Sequence, residues 1–131
     1  MKQGCTGKGE FMHIYESAED YLEQILMLLE NKGYARSVDI AEGLGVSKPS
    51  VSVAMKNLRT NGYISMADNG YISLTDKGYA IAHRIYDRHK TLTRFFVQIG
   101  VPENIAREDA CKIEHDISEE SYAAIRAQMK P

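Results

Sequence analysis

The stretch Asp109-Ala110-Cys111-Lys112-Ile113-Glu114-His115-Asp116 sets a thiol, a carboxylate and an imidazole close together in the chain. On a helix, residues three and four apart share a face, so Cys111, Glu114 and His115 point the same way. These are the side-chain types that divalent transition metals take as ligands. The same spacing suits a polar helix edge with a core-facing cysteine, and this stretch alone leaves both readings open. Two other places carry similar donors. Asp20 and Glu23 lie three apart at the start of an apolar-striped segment, where acidic residues also suit the helix dipole. His89 stands between Arg88 and Lys90, a setting that equally suits a solvated side chain.

A chain of 131 residues can form one domain or two small ones. At 44% hydrophobic and 26% charged, it has enough apolar residues for a core and an ordinary soluble surface. No apolar run approaches the roughly 20 residues of a membrane span, and no apolar segment near the N-terminus reads as a signal peptide. Cys5 and Cys111 show no paired spacing, so reduced thiols and a cytoplasmic setting are expected rather than a disulfide framework. The net charge is −3 over residues 1–33, +4 over 34–94 and −3 over 95–131. The basic middle suits a polyanionic partner.

Residues 1–14, with Gly4, Gly7 and Gly9 among polar residues, read as a flexible N-terminal arm. Met12 is a possible natural start, which would leave Cys5 outside the ordered protein. From Ser17 a helix is predicted, with Tyr21, Leu22, Ile25, Leu26, Leu28 and Leu29 as its apolar stripe up to Asn31-Lys32-Gly33. Ser37 is expected to cap a short helix with Ile40, Ala41 and Leu44 inside, and Gly45 supplies a turn. Ser47 then caps a second helix with Pro49 in its first turn. Val51, Met55 and Leu58 face inward there, while Lys48, Ser50, Ser52, Lys56 and Arg59 face out. This is a helix-turn-helix layout, although a plain helical hairpin shares much of it. Hydroxyls and lysines on the outward face suit phosphates and base edges in the major groove.

Two alternating runs, Tyr63-Ile64-Ser65-Met66 and Tyr71-Ile72-Ser73-Leu74, flank Ala67-Asp68-Asn69-Gly70, which predicts a β-hairpin with an Asn-Gly turn. A hairpin following a recognition helix is a wing. A long helix from Thr75 or Asp76 to about Ile99 follows, then helices over 102–115, opened by Pro102, and 118 to about 129, capped by Ser118. So small a helical unit buries little alone, which points to a dimer interface. The expected fold is mainly α with a small β-hairpin: a winged helix-turn-helix DNA-binding domain over 15–75, then a helical metal-binding and dimerisation domain over 76–131.

From Ser17 onward the chain resembles the DtxR/MntR family of metal-dependent repressors, and more closely its smaller manganese-regulator branch. The resemblance rests on Glu19-Asp20-Tyr21-Leu22-Glu23-Gln24-Ile25, on Gly33-Tyr34-Ala35-Arg36 through the helix-turn-helix, on Leu74-Thr75-Asp76-Lys77-Gly78, on Arg88-His89 and on Ile113-Glu114-His115. It implies metal ligands at Asp20, Glu23, His89, Cys111, Glu114 and His115, holding one or two divalent ions per subunit. Cys111 stands where the manganese branch carries a carboxylate and the iron branch a cysteine, whereas Asp20 follows the manganese branch. Thr93 and Arg107 replace the acid and histidine of the iron branch's ancillary site, and the chain ends at Pro131 without that branch's SH3-like domain. The site is thus a hybrid, with a soft thiolate among carboxylates that also suit Mn(II).

The resemblance implies a homodimer that binds a palindromic duplex operator when Mn(II) or Fe(II) is bound between the DNA-binding and dimerisation domains, repressing metal-uptake genes. Expected DNA contacts are Arg36, Ser47, Lys48, Pro49, Ser50, Ser52, Lys56, Arg59 and Asn69. The alternative is a winged-helix regulator not controlled by metal, with the donors as a structural site. A metalloenzyme is disfavoured, since the chain has no His-Glu-x-x-His run and no glycine-rich phosphate loop; no catalytic residue is expected.

Overall fold

The computed structural model describes residues 10–129, with side chains from Ser17 onward. The expected arm therefore lies largely outside the described residues, together with Cys5. Where the two meet they differ: α1 spans Glu10–Lys32, so the helix begins before Ser17 and takes in residues 10–14. The remaining elements are α2 (Ser37–Leu44), α3 (Lys48–Thr60), β1 (Ile64–Met66), β2 (Ile72–Leu74), α4 (Asp76–Gln98), α5 (Glu103–Ile113) and α6 (Glu119–Gln128). They form two compact units whose boundary falls within α4, between Arg84 and Ile85.

In the first unit, Leu22, Ile25 and Leu26 of α1, Ile40 and Leu44 of α2, Val51, Met55 and Leu58 of α3, and Ile64 and Ile72 of the hairpin make the core. Each such aliphatic side chain contributes about 1.5–3 kcal/mol when fully buried. α2 ends on Gly45, whose φ of 68° is the left-handed conformation that glycine adopts without strain. Ser47 caps α3, its side chain accepting from the Ser50 amide at 3.2 Å, with Pro49 in the first turn. Ser37 departs from expectation. It is the first helical residue of α2, and extended Arg36 holds the cap position without a side-chain bond.

β1 and β2 are antiparallel, pairing Ile64 with Leu74 and Met66 with Ile72. Gly70 at φ 88° turns the hairpin, and the Asn69 carboxamide oxygen accepts from the Tyr71 amide at 3.0 Å. The wing is tied back to the helices by the Ile72 amide, which donates to the Ala35 carbonyl at 2.8 Å. At the start of α4 the Thr75 hydroxyl accepts from the Gly78 amide and donates to the Gly62 carbonyl.

In the second unit, Ile85 and Leu92 of α4, Ala106, Ala110 and Cys111 of α5 and Tyr122 of α6 are buried. Pro102 occupies the N-cap of α5. Ser118 caps α6 by accepting from the Ser121 amide at 3.1 Å. The Tyr122 hydroxyl donates to Asp87 at 2.6 Å and reaches Thr91 at 3.2 Å, which fastens α6 to α4.

Candidate metal centre and nucleic-acid interface

Four of the six expected metal ligands belong to the second unit. His89 lies on α4 and Cys111 on α5, while Glu114 and His115 sit just past the end of α5. This corrects the expectation of one continuous helix through His115. α5 stops at Ile113, with Glu114 as its C-cap and His115 in the turn that follows. The donors still converge. Glu114 is fully buried, with Oε1 2.8 Å from His89 Nδ1 and Oε2 3.5 Å from His115 Nε2. A carboxylate accepting from Nδ1 of a histidine favours the tautomer whose lone pair is on Nε2, the form able to bind a metal. One carboxylate flanked by two imidazoles in a buried setting is a donor set that fits Mn(II), Fe(II) or Zn(II).

Cys111 is buried, as a core-facing position requires, but its sulfur is disulfide-bonded. The expectation of a reduced thiol at Cys111 is thus corrected, since spacing along a chain does not decide the state of a sulfur. A disulfide sulfur carries no anionic charge, so Cys111 can join a metal only when reduced.

In the first unit, Asp20 and Glu23 lie one turn apart on α1, 1% and 0% exposed. Because α1 starts at Glu10, both lie well past its first turn, which corrects the expectation that they stand at the helix start; carboxylates are rarely this buried. Asp20 also acts on its neighbour: burial first, and then the Asp20 charge, push the Tyr21 phenol above its usual pKa.

The expected DNA contacts Ser47, Lys48, Pro49, Ser50, Ser52, Lys56 and Arg59 are all exposed on α3 and its entry, as are Arg36 and the wing residue Asn69. Lys48, Ser52, Lys56 and Arg59 share one side of the helix, and Ser50 lies on another, with Val53 and Asn57. Ser52, Lys56 and Arg59 share a hollow with Ser37, Met55 and Met66. Arg36 lies over the Tyr71 ring, which stacks on Tyr34. Sequence reasoning missed Val53, 62% exposed on the same helix; its offset of three from Ser50 and Lys56 was the available signal. It also missed what Arg88 does beyond standing beside His89.

A winged helix-turn-helix unit, followed in the chain by a helical unit with imidazoles set around a carboxylate, defines a DNA-binding regulator with a metal-ligating part. Comparisons with known proteins agree. Residues 13–77 match the iron dependent repressor N-terminal DNA binding domain, and residues 75–131 match the iron dependent repressor metal binding and dimerisation domain. Transcriptional regulator MntR of Escherichia coli O6:H1 is 40% identical over 114 residues, covering 87% of this chain and 74% of that protein. The HTH-type transcriptional regulator MntR of Bacillus subtilis strain 168 is 43% identical over 102 residues, 78% and 72% of the two chains.

Among solved structures, a manganese-dependent transcriptional repressor in complex with manganese superposes with a TM-score of 0.77 at 29% identity. IdeR of T. acidophilum does so with a TM-score of 0.75 at 31% identity. They align with 85% and 84% of this chain, which spans about half of their own length, 51% and 52%. The chain belongs to the DtxR/MntR family of metal-dependent transcriptional repressors, on its manganese-regulator side. No helix among the described residues is long and apolar enough to cross a membrane.

Proposed function

We propose that this chain is a cytoplasmic, metal-activated repressor that binds a palindromic duplex operator as a homodimer and acts by binding rather than catalysis. The observation that carries the reading is the fully buried Glu114 carboxylate between His89 and His115. Asp20, Glu23, His89, Glu114, His115 and reduced Cys111 are the ligands, for one or two Mn(II) or Fe(II) ions per subunit. A divalent ion supplies positive charge and a demand for fixed ligand positions.

The chain's residues turn that demand into DNA affinity. Asp20 and Glu23 share α1 with Leu22, Ile25 and Leu26, which pack in the core that α3 also enters. Restraining these carboxylates restrains the recognition helix. His89, Cys111, Glu114 and His115 belong to the dimerisation part, so ligation by both sets fixes the spacing of two recognition helices. That spacing must match about one turn of DNA, 34–36 Å, or a multiple of it. Control by metal is as strong as its preference for the DNA-competent arrangement. Ser47, Lys48, Pro49, Ser50, Ser52, Lys56 and Arg59, with Arg36 and Asn69, make the contacts.

The test is selection of duplexes from a randomised pool by the reduced protein, with Mn(II) or with chelator. Enrichment of an inverted repeat with Mn(II) alone is expected. Equal enrichment with chelator refutes metal control, and no enrichment in either arm refutes operator binding.

A further inference from the structure

Arg88 is only 3% exposed, and a buried guanidinium is tolerated only when its charge and donors are met. Nη1 donates to two main-chain carbonyls, Glu114 at 3.2 Å and Ile117 at 2.7 Å. Nη2 pairs with the Glu119 carboxylate, and the guanidinium lies 5.1 Å from the Tyr122 ring centroid. Nε makes no hydrogen bond among the described residues. The two carbonyls bracket residues 114–117, the turn that ends α5. Carbonyls at a helix end have no partner within the helix, and a cation there also complements the helix dipole.

That turn carries Glu114 and His115. The residue after Arg88 on α4, His89, takes the other end of Glu114 through the 2.8 Å contact to its carboxylate. Adjacent residues of one helix therefore hold Glu114 by its main chain and by its side chain. We infer that Arg88 is a positioning residue of the metal centre: its Nη1, anchored through Nη2 on Glu119, fixes the backbone of residues 114–117, so that the Glu114 carboxylate and His115 imidazole are in place before metal binds. The inference rests on the reading of Glu114 and His115 as ligands. Lysine cannot substitute fully, because a single ammonium on a different stem cannot hold both carbonyls where Nη1 lies and the Glu119 carboxylate where Nη2 lies, as the rigid planar guanidinium does.

The test compares the reduced protein, residues 1–131, with its variants Arg88→Met, Arg88→Lys and Glu119→Gln. Mn(II) affinity is read from the electron paramagnetic resonance signal of the free ion, and ligand geometry from the visible absorption of bound Co(II). Arg88→Met should raise the Mn(II) Kd about 10- to 100-fold, the usual effect of losing a group that orients ligands. It should also change the Co(II) spectrum while far-ultraviolet circular dichroism stays as in the wild type. Arg88→Lys should fall between the two. Glu119→Gln, which leaves both carbonyl contacts in place, should alter thermal stability but not the Co(II) spectrum.

If Arg88→Met does not fold, Arg88→Lys decides. A Kd within twofold of wild type and an unchanged Co(II) spectrum in a folded Arg88 variant overturn the positioning role and leave a simple helix cap. If the wild type itself binds neither ion, the ligand assignment fails first and the inference with it. The wild-type arm tells the two failures apart.

Discussion

Replacing Glu114 by glutamine changes one charge and almost no volume. Glu114 has no exposed surface, and each of its oxygens faces an imidazole, at 2.8 Å and 3.5 Å. Water cannot take over the lost anionic ligand at such a site, and an amide nitrogen presents a donor where an acceptor stood. We expect the Mn(II) Kd to rise about a hundredfold, or ~2.7 kcal/mol. A ligand that binds only the folded state stabilises it by about 2.7 kcal/mol at one hundred times its Kd, and by about 0.4 kcal/mol at its Kd.

With an unfolding entropy of about 2.1 cal/mol/K per residue, a chain this long shifts its Tm by about 3–4 °C per kcal/mol. Mn(II) at one hundred times the wild-type Kd should therefore raise the wild-type Tm by about 10 °C and that of Glu114→Gln by about 1–2 °C. Thermal melts followed by circular dichroism, with reductant and with or without Mn(II), measure both. Equal metal-induced shifts in the two proteins would refute the assignment of Glu114 as a ligand.

Gly78→Ala should cost about 1–3 kcal/mol, as overpacking does, because a Cβ there would run into the main-chain carbonyl of Tyr63; an unchanged urea midpoint would refute this. Lys56, exposed on α3, should neutralise a single phosphate, so Lys56→Ala should flatten the slope of log K against log salt by about 0.9. An effect confined to one base position would count against that role. Burial, followed by the hydrogen bond to Asp87, raises the Tyr122 pKa, so the neutral phenol is favoured in the fold. Its contribution is fully present below the ordinary tyrosine pKa of about 10 and is lost as pH rises through the higher folded value. Alkaline absorbance titration should show a late phenolate step that Tyr122→Phe removes; a Tyr122 step below about pH 10 would contradict the cause given.

The DNA-binding unit was legible because its signals are local. Ser47 before Lys48-Pro49, the inward Val51, Met55 and Leu58, and Gly70 in the hairpin each act through neighbours in the chain. The ends of elements were less legible. α5 stops at Ile113 although the pattern continues to His115; the turn's carbonyls are held by Arg88, 26 and 29 positions away in sequence. At Ser37 the preference for a hydroxyl cap lost to an extended Arg36, one position earlier. α1 starts earlier than its apolar stripe suggests, because the glycines before Glu10 hide the helix that follows them. For the site, residue types pointed to the donors, but the pairing of His89 with Glu114 and the state of the Cys111 sulfur depend on contacts that spacing does not encode.

The central claim is that metal switches DNA binding on. Fluorescence anisotropy of a labelled duplex recovered by selection tests it directly, with reduced protein titrated with Mn(II), anaerobic Fe(II) or chelator, for the wild type and for Cys111→Glu. Tight binding should require metal, and the substitution should move the preference from Fe(II) towards Mn(II), since a carboxylate is a harder ligand than a thiolate. Equal affinity with chelator and with either ion would contradict metal control and leave the buried donors a structural role.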